Sequence, residues 1–209
     1  MKKFFIFILL NLSIIKYSYA LIEVDITRGN LDPLPIAISP LHVDIKSEEN
    51  EKIKVKQLGS EISKIIETNF RATGLFNPLK KDAFVQKPDI AHLKPRFEDW
   101  RLIKAQALVT GKIFVKDGKL KVEFRLWDLA AAQEMTALAF TTTPSNWRRV
   151  AHIISDKIYE RLTGEEGYFD TRIIYVAEVA PKSKSKKLAI LWIRMDLIRN
   201  TLLWEMNLF

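Results

Sequence analysis

The amino-acid sequence predicts an α/β fold in which two main helices cover a mixed β-sheet. Three observations carry the prediction. Two long segments repeat apolar residues at helical spacing and stop at a glycine. Two segments of alternating polarity flank the pair Asp117-Gly118. Short apolar runs lie before and between these elements, giving the order strand, helix, hairpin, strand, helix.

Residues 21–34 (LIEVDITRGNLDPL) begin with a short alternation and then meet Gly29, Asn30, Asp32 and Pro33. They read as an arm, either flexible or pairing at an edge. Residues 35–39 (PIAIS) are a short apolar run bounded by prolines, consistent with a buried strand. In residues 51–72, Val55, Leu58, Ile62, Ile65, Ile66 and Phe70 share one helical face, with Lys54, Lys56, Glu61, Lys64 and Glu67 mostly opposite. Gly74 ends this helix, and Leu75-Phe76-Asn77-Pro78 returns toward the sheet. Residues 80–95 are polar and interrupted by proline, and predict a loop. Phe97, Trp100 and Ile103 predict a short helix.

Residues 107–115 and 120–126 predict a hairpin, because Asp117-Gly118 suits a tight turn with two positive φ angles. Leu120, Val122, Phe124 and Leu126 alternate with Lys119, Lys121, Glu123 and Arg125, so one face is apolar. Residues 136–143 predict a third strand. Ser145 is the expected cap of a second long helix, with Trp147, Val150, Ala151, Ile154, Ile158 and Leu162 on one face and Gly164 as its stop. With both helices on one face, the other face is expected to be wet or to carry a partner. Residues 171–179 predict a further strand, residues 182–187 (KSKSKK) a basic turn, and residue 188 onward its return strand.

The composition is that of a globular protein: 48% of the 209 residues are hydrophobic and 28% charged, which excludes disorder throughout. The net charge of +8 raises nucleic acid or anionic membrane as partners. The first twenty residues argue against both. Lys2-Lys3, an apolar run over residues 4–15, and Ser18-Tyr19-Ala20 form a secretory signal peptide, with cleavage expected between Ala20 and Leu21. Its apolar run is short for a membrane span, and a retained anchor is the alternative reading. Loss of three lysines (Lys2, Lys3 and Lys16) from +8 leaves +5 on the mature chain. The remaining charge suits solubility or an acidic protein surface, and scattered cations without an aromatic stripe do not suit nucleic acid. There is no cysteine, which excludes a lipoprotein anchor, disulfides and thiolate chemistry.

No catalytic, cofactor or metal constellation emerges. His42, His92 and His152 are isolated, without companions at ligand spacing. His152 reads as a helix packing or surface residue. The acidic pairs Glu48-Glu49, Glu98-Asp99 and Glu165-Glu166 read as solvated loop or helix-end charges. No phosphate-binding glycine loop or nucleophile elbow is present. Trp100, Trp127 and Trp147 read as core or interface anchors rather than sugar platforms.

Several stretches resemble the TolB family of Tol-Pal system proteins. Residues 34–40 (LPIAISP) resemble the first sheet strand of its amino-terminal domain. Residues 70–79 (FRATGLFNPL) resemble the helix end and turn that follow. Trp100 with residues 107–111 (ALVTG) resembles the next helix and strand, and residues 124–128 (FRLWD) the second arm of the hairpin. Residues 157–175 (KIYERLTGEEGYFDTRIIY) resemble the junction into a first β-propeller blade. The resemblance runs from the signal peptide to about Leu188. It implies a periplasmic, non-enzymatic adaptor without cofactors, acting in outer-membrane integrity and cell division. It implies that the arm and domain bind the inner-membrane protein TolA, with Ile22, Glu23, Val24, Asp25, Ile26, Thr27 and Arg28 as the engaging residues. It assigns binding of the lipoprotein Pal to the propeller, which is not carried over to a chain ending at Phe209. Physically, Val24 and Ile26 alternating with Asp25 and Thr27 can add as an edge strand.

The expected organisation is therefore a signal peptide over 1–20, an arm over 21–34, an α/β domain over 35–168, the start of an incomplete first propeller blade over 169–190, and a divergent tail over 191–209. The tail (LWIRMDLIRNTLLWEMNLF) lacks turn signals. If the Leu191 codon ends in A, reading one base earlier allows Met-Asp-Gln-Asn-Gly-Phe-Asn-Lys-Lys-Tyr, which contains a blade-type turn, so a frameshift near Leu191 and a truncated, partly or wholly defective adaptor are expected; the alternative is a native apolar helix with Leu191, Met195, Ile198, Leu202 and Leu203 loosely on one face. Two other readings stand beside this one: a protein acting on envelope glycans, and a decayed remnant without function.

Overall fold

A computed structural model gives the architecture. It describes the backbone of residues 32–44, 49–179 and 186–193, and the side chains of residues 32–44 and 57–171. The strands are β1 (Leu34–Ile38), β2 (His42–Val43), β3 (Phe76–Pro78), β4 (Ala107–Lys116), β5 (Lys119–Asp128), β6 (Gln133–Thr142), β7 (Arg172–Val179) and β8 (Lys186–Ile193). The helices are α1 (Glu49–Thr73), α2 (Pro88–Ala91), α3 (Phe97–Leu102) and α4 (Trp147–Thr163).

The main sheet runs β3-β1-β4-β5-β6, with β2 also on β4. It is mixed. β1 is parallel to both β3 and β4, while β4-β5 and β5-β6 are antiparallel. The parallel β1-β3 pair is joined by α1, as a crossover requires. The β4-β5 hairpin turns through Asp117 (φ 54°) and Gly118 (φ 67°), the two positive angles expected of this dipeptide. β7 and β8 form a separate antiparallel pair, from Arg172 opposite Ile193 to Val179 opposite Lys186.

Alternation sorts the sheet residues onto two faces. Leu34, Ile36, Ile38, Val109, Ile113, Leu120, Val122, Phe124 and Leu126 point under α1 and α4 and form the main core with Ile62, Ile66, Phe70, Ile154, Ile158 and Leu162. Each of these side chains contributes about 1.5–3 kcal/mol on burial. Gly111 lies within this face, where a Cβ would come 2.2 Å from the Glu123 carbonyl oxygen and 3.0 Å from the Phe124 Cα, so no larger residue fits. Gly74 (φ 71°) and Gly164 (φ 75°) end α1 and α4 in left-handed backbone, as their positions predict.

The structure corrects several expectations. The segment 80–95 is not all loop: Lys81–Ala83 forms a 3-10 turn and Pro88 starts α2, because proline at the first helical position loses no hydrogen bond. Ser145 does not cap α4. It lies in a 3-10 turn (Pro144–Asn146) with its hydroxyl paired to that of Thr143 at 3.0 Å, and Asn146 occupies the cap position without a side-chain bond. β6 starts at Gln133 rather than 136, because a bulge between Leu126 and Trp127 lets β5 pair further. β1 starts at Leu34, one residue inside the expected arm. Phe169, expected to begin the blade, is fully buried in the main core, where its ring meets those of Phe70 at 6.1 Å and Tyr159 at 5.8 Å. β8 passes the expected boundary at Leu191 and ends at Ile193, and the rest of the expected frameshifted tail lies outside the described residues.

Candidate partner-binding surface

The outer face of the sheet is neither wholly wet nor wholly open. At one end, a second cluster covers it: Ala37, Leu108, Trp127 and Leu129 from the sheet side meet Ala91, Phe97, Trp100 and Ala105. Aromatic edges set its geometry, with Phe97 and Trp127 at 5.8 Å and Phe84 and Trp100 at 5.0 Å. Gln86 is the polar hub. Its Oε1 accepts from the Trp100 Nε1–H at 3.1 Å and from the Arg96 N–H at 3.2 Å, and its Nε2 donates to Asp99 Oδ2 at 3.1 Å. The Trp127 Nε1–H donates to Thr110 Oγ1 at 2.9 Å. Both indoles are thereby satisfied in the interior, which settles Trp100 and Trp127 as structural anchors.

The other end of the face is a shallow groove of about 270 Å³ lined by His92, Leu93, Lys112, Glu123, Arg125, Ala137 and Ala139, among others. Its floor carries a ladder of ion pairs, Lys112–Glu123 at 3.4 Å and Arg125–Glu134 at 3.2 Å. Each pair is about a third or more exposed and screened by solvent, so each contributes little to stability. Along one side runs β6, an edge of the sheet, whose stretch from Met135 to Thr142 carries no charge. Arg161 of α4 reaches the Met135 carbonyl at 3.4 Å and covers one end of that edge.

The groove's wall contains an arrangement that the sequence did not reveal. His42 and His92, expected to be isolated, stack with ring centroids 4.2 Å apart and planes 6° from parallel. His92 Nδ1 lies 3.0 Å from the Pro88 carbonyl, and the Arg125 Nη1 donates to the His92 carbonyl at 2.9 Å. Burial, followed by the neighbouring His92, holds the His42 imidazole below its ordinary pKa of 6.5, while Asp44 and Asp89 pull the other way. His42 pairs with β4 and His92 ends α2, so only the tertiary fold brings them together.

His152 is a core residue, the packing role of the two, packing or surface, that its helical position allows. It is buried, and its Nδ1 faces Asn69 Nδ2 at 3.1 Å in a polar bridge between α1 and α4 that also includes Ser155. Asp156 accepts from the backbone N–H groups of Phe169 and Asp170, fixing the chain after α4. Burial is the largest influence on its carboxyl and raises its pKa. Glu98, Glu165 and Glu166 are exposed, and no group of three or more metal-ligating side chains exists among the described residues. No described helix is long and apolar enough to cross a membrane. The expected partner-binding residues Ile22, Glu23, Val24, Asp25, Ile26, Thr27 and Arg28, and the cleavage pair Ala20 and Leu21, lie outside the described residues.

Comparison with known proteins gives the family. The model of the TolB amino-terminal domain matches residues 22–135. The Tol-Pal system protein TolB of Pelagibacter ubique (strain HTCC1062) is 68% identical over 190 residues, which are 90% of this chain and 42% of that protein. The chain thus spans less than half the length of this relative. The crystal structure of TolB from Acinetobacter baumannii shares the fold, with a TM-score of 0.60 at 22% identity over 83% of this chain and 39% of that one. With the domain match covering more than half its length and a relative 68% identical over nine tenths of it, the chain belongs to the TolB family of the Tol-Pal system.

Proposed function

We propose that the chain is a periplasmic adaptor that binds a TolA-type inner-membrane protein through residues 22–28 and supports outer-membrane integrity and cell division. The observation that carries this reading is the extent of the domain match. It begins at Ile22, so it takes in the arm together with the sheet from β1 into β6. Chemistry agrees: Ile22, Val24 and Ile26 alternate with Glu23, Asp25 and Thr27, a pattern that adds to a partner's sheet edge with backbone bonds for affinity and alternate side chains for specificity. The role is binding rather than catalysis, and it uses no cofactor. Binding of Pal belongs to the propeller in this reading and is not assigned to these residues.

Isothermal titration of the full chain against the periplasmic part of TolA tests the reading. Val24→Asp with Ile26→Asp is expected to weaken binding at least about tenfold by placing charge on the apolar side of the strand, with the thermal unfolding of the α/β domain unchanged. Equal affinity for the wild type and this variant overturns the assignment of the arm.

A further inference from the structure

The segment from Pro88 to Leu93 forms one wall of the groove and is weakly fastened. Ile90 is 49% exposed and Leu93 67%, so apolar burial holds little of it, and Ala91 alone of α2 is buried. Its attachments to the sheet include the Arg125 bond to the His92 carbonyl and the stack of His92 on His42. His42 is itself in a two-residue strand paired to β4 at Lys112.

The stack constrains protonation. A carbonyl only accepts, so the 3.0 Å contact with Pro88 places a hydrogen on His92 Nδ1. With one ring neutral, parallel imidazoles 4.2 Å apart attract; with both charged, they repel at that distance without intervening solvent. The surrounding charges are Asp44 beyond β2, Asp89 of α2, Lys112 of β4, and Glu123 and Arg125 of β5. Lys112 is paired with Glu123 and Arg125 with Glu134, which leaves Asp44 and Asp89 to favour a first proton on the pair. Asp44 and Asp89 together do not offset burial and the neighbouring His92, so a proton on His42 is disfavoured in the closed stack.

We propose that His42 and His92 form a proton-sensitive latch: the stacked pair holds the Pro88–Leu93 wall against the sheet near neutral pH, and charging both rings releases the wall and widens the groove. The sign follows from the lowered affinity of His42 for a proton in the closed state. A released His42 titrates near 6.5, so the closed state has its full advantage above that pH and loses it as pH falls below 6.5.

Hydrogen exchange of the full chain tests the latch, with protection corrected for the intrinsic rate at each pH. The reporters are the amides of Ala91, His92 and Leu93, bonded to the carbonyls of Lys87, Pro88 and Ile90, and the controls are Val122 and Leu126 in the central hairpin. Between pH 7.5 and pH 5.0, protection of the reporters is expected to fall about tenfold, while the controls hold. His42→Phe keeps a ring against His92 but cannot be charged, and is expected to abolish the fall. If His42→Phe does not fold, His42→Gln makes the same test with a neutral polar side chain. A fall that persists in the variant, or no fall in the wild type, overturns the proposal.

Discussion

The two faces of the sheet are built by opposite means. The face under α1 and α4 is a continuous layer of aliphatic and aromatic side chains, contributed by strand alternation on one side and helical periodicity on the other. The outer face is assembled piecemeal. Half of it is covered by three aromatic rings and a glutamine from the segment between β3 and β4, and half is left to ion pairs and a histidine stack. The difference separates the tasks of the domain. The inner face and the covered half of the outer face set stability, and the open half is free to be reshaped by partners or by pH, because little apolar burial fixes it.

The sharpest break of this contrast is Phe70→Ala. Phe70 is fully buried at the end of α1, with ring centroids of Phe76 at 4.8 Å and Phe169 at 6.1 Å. It joins α1, β3 and the chain after α4, so removing it empties a site that three elements line and cannot easily collapse. The expected loss is about 3–5 kcal/mol, read as a fall in the denaturant midpoint. A loss below about 1 kcal/mol means that the aromatic cluster is loosely filled and that the main core does not dominate stability.

The same contrast explains what could be read in the sequence. Residues 51–72 and 147–162 announce their helices because local period suffices to bury Ile62, Ile66, Phe70, Ile154 and Ile158. Asp117-Gly118 announces its hairpin because the turn is a property of two adjacent residues. The outer face gives no such signal. Gln86 looks like any polar loop residue until the fold sets it against the Trp100 indole, and His42 and His92 lie fifty residues apart until β2 and α2 meet beside β4. Ser145 does not cap although serine before an apolar period is a statistical cap, because here it is taken into the Pro144 turn. The resemblance to TolB was legible because it needs only short motifs in order, whereas the groove depends on contacts that no motif records.

A smaller effect is expected from Gln86→Ala, which tests whether the covered half of the outer face depends on its polar hub. The substitution removes the acceptor for the buried Trp100 Nε1–H and the bond to the Arg96 N–H. Leaving the indole unsatisfied in the interior costs about 1–3 kcal/mol. The accompanying shift in Trp fluorescence reports water reaching Trp100. Gln86→Glu separates the two roles: it keeps an oxygen for the indole but loses the Nε2 donor to Asp99 and places a carboxylate beside that of Asp99. If both variants match the wild type in stability, the hub is ornamental and the aromatic rings alone hold this cover.

The smallest effect on global stability is expected from Arg125→Ala, on the open half of the same face. Arg125 pairs with Glu134 at 3.2 Å and donates to the His92 carbonyl at 2.9 Å, yet about two fifths of both charged side chains is exposed. Solvent screens such a pair, so the loss in unfolding free energy is expected to stay within about 1 kcal/mol. The local consequence is larger than the global one. Without the guanidinium, the groove's wall loses one of its attachments to the sheet, and the Leu93 amide is expected to exchange faster while Val122 does not. A change in the opposite order, with the denaturant midpoint falling as far as in Phe70→Ala and the Leu93 amide unaffected, would place the structural weight of the sheet on its ion-pair ladder and erase the distinction between its faces.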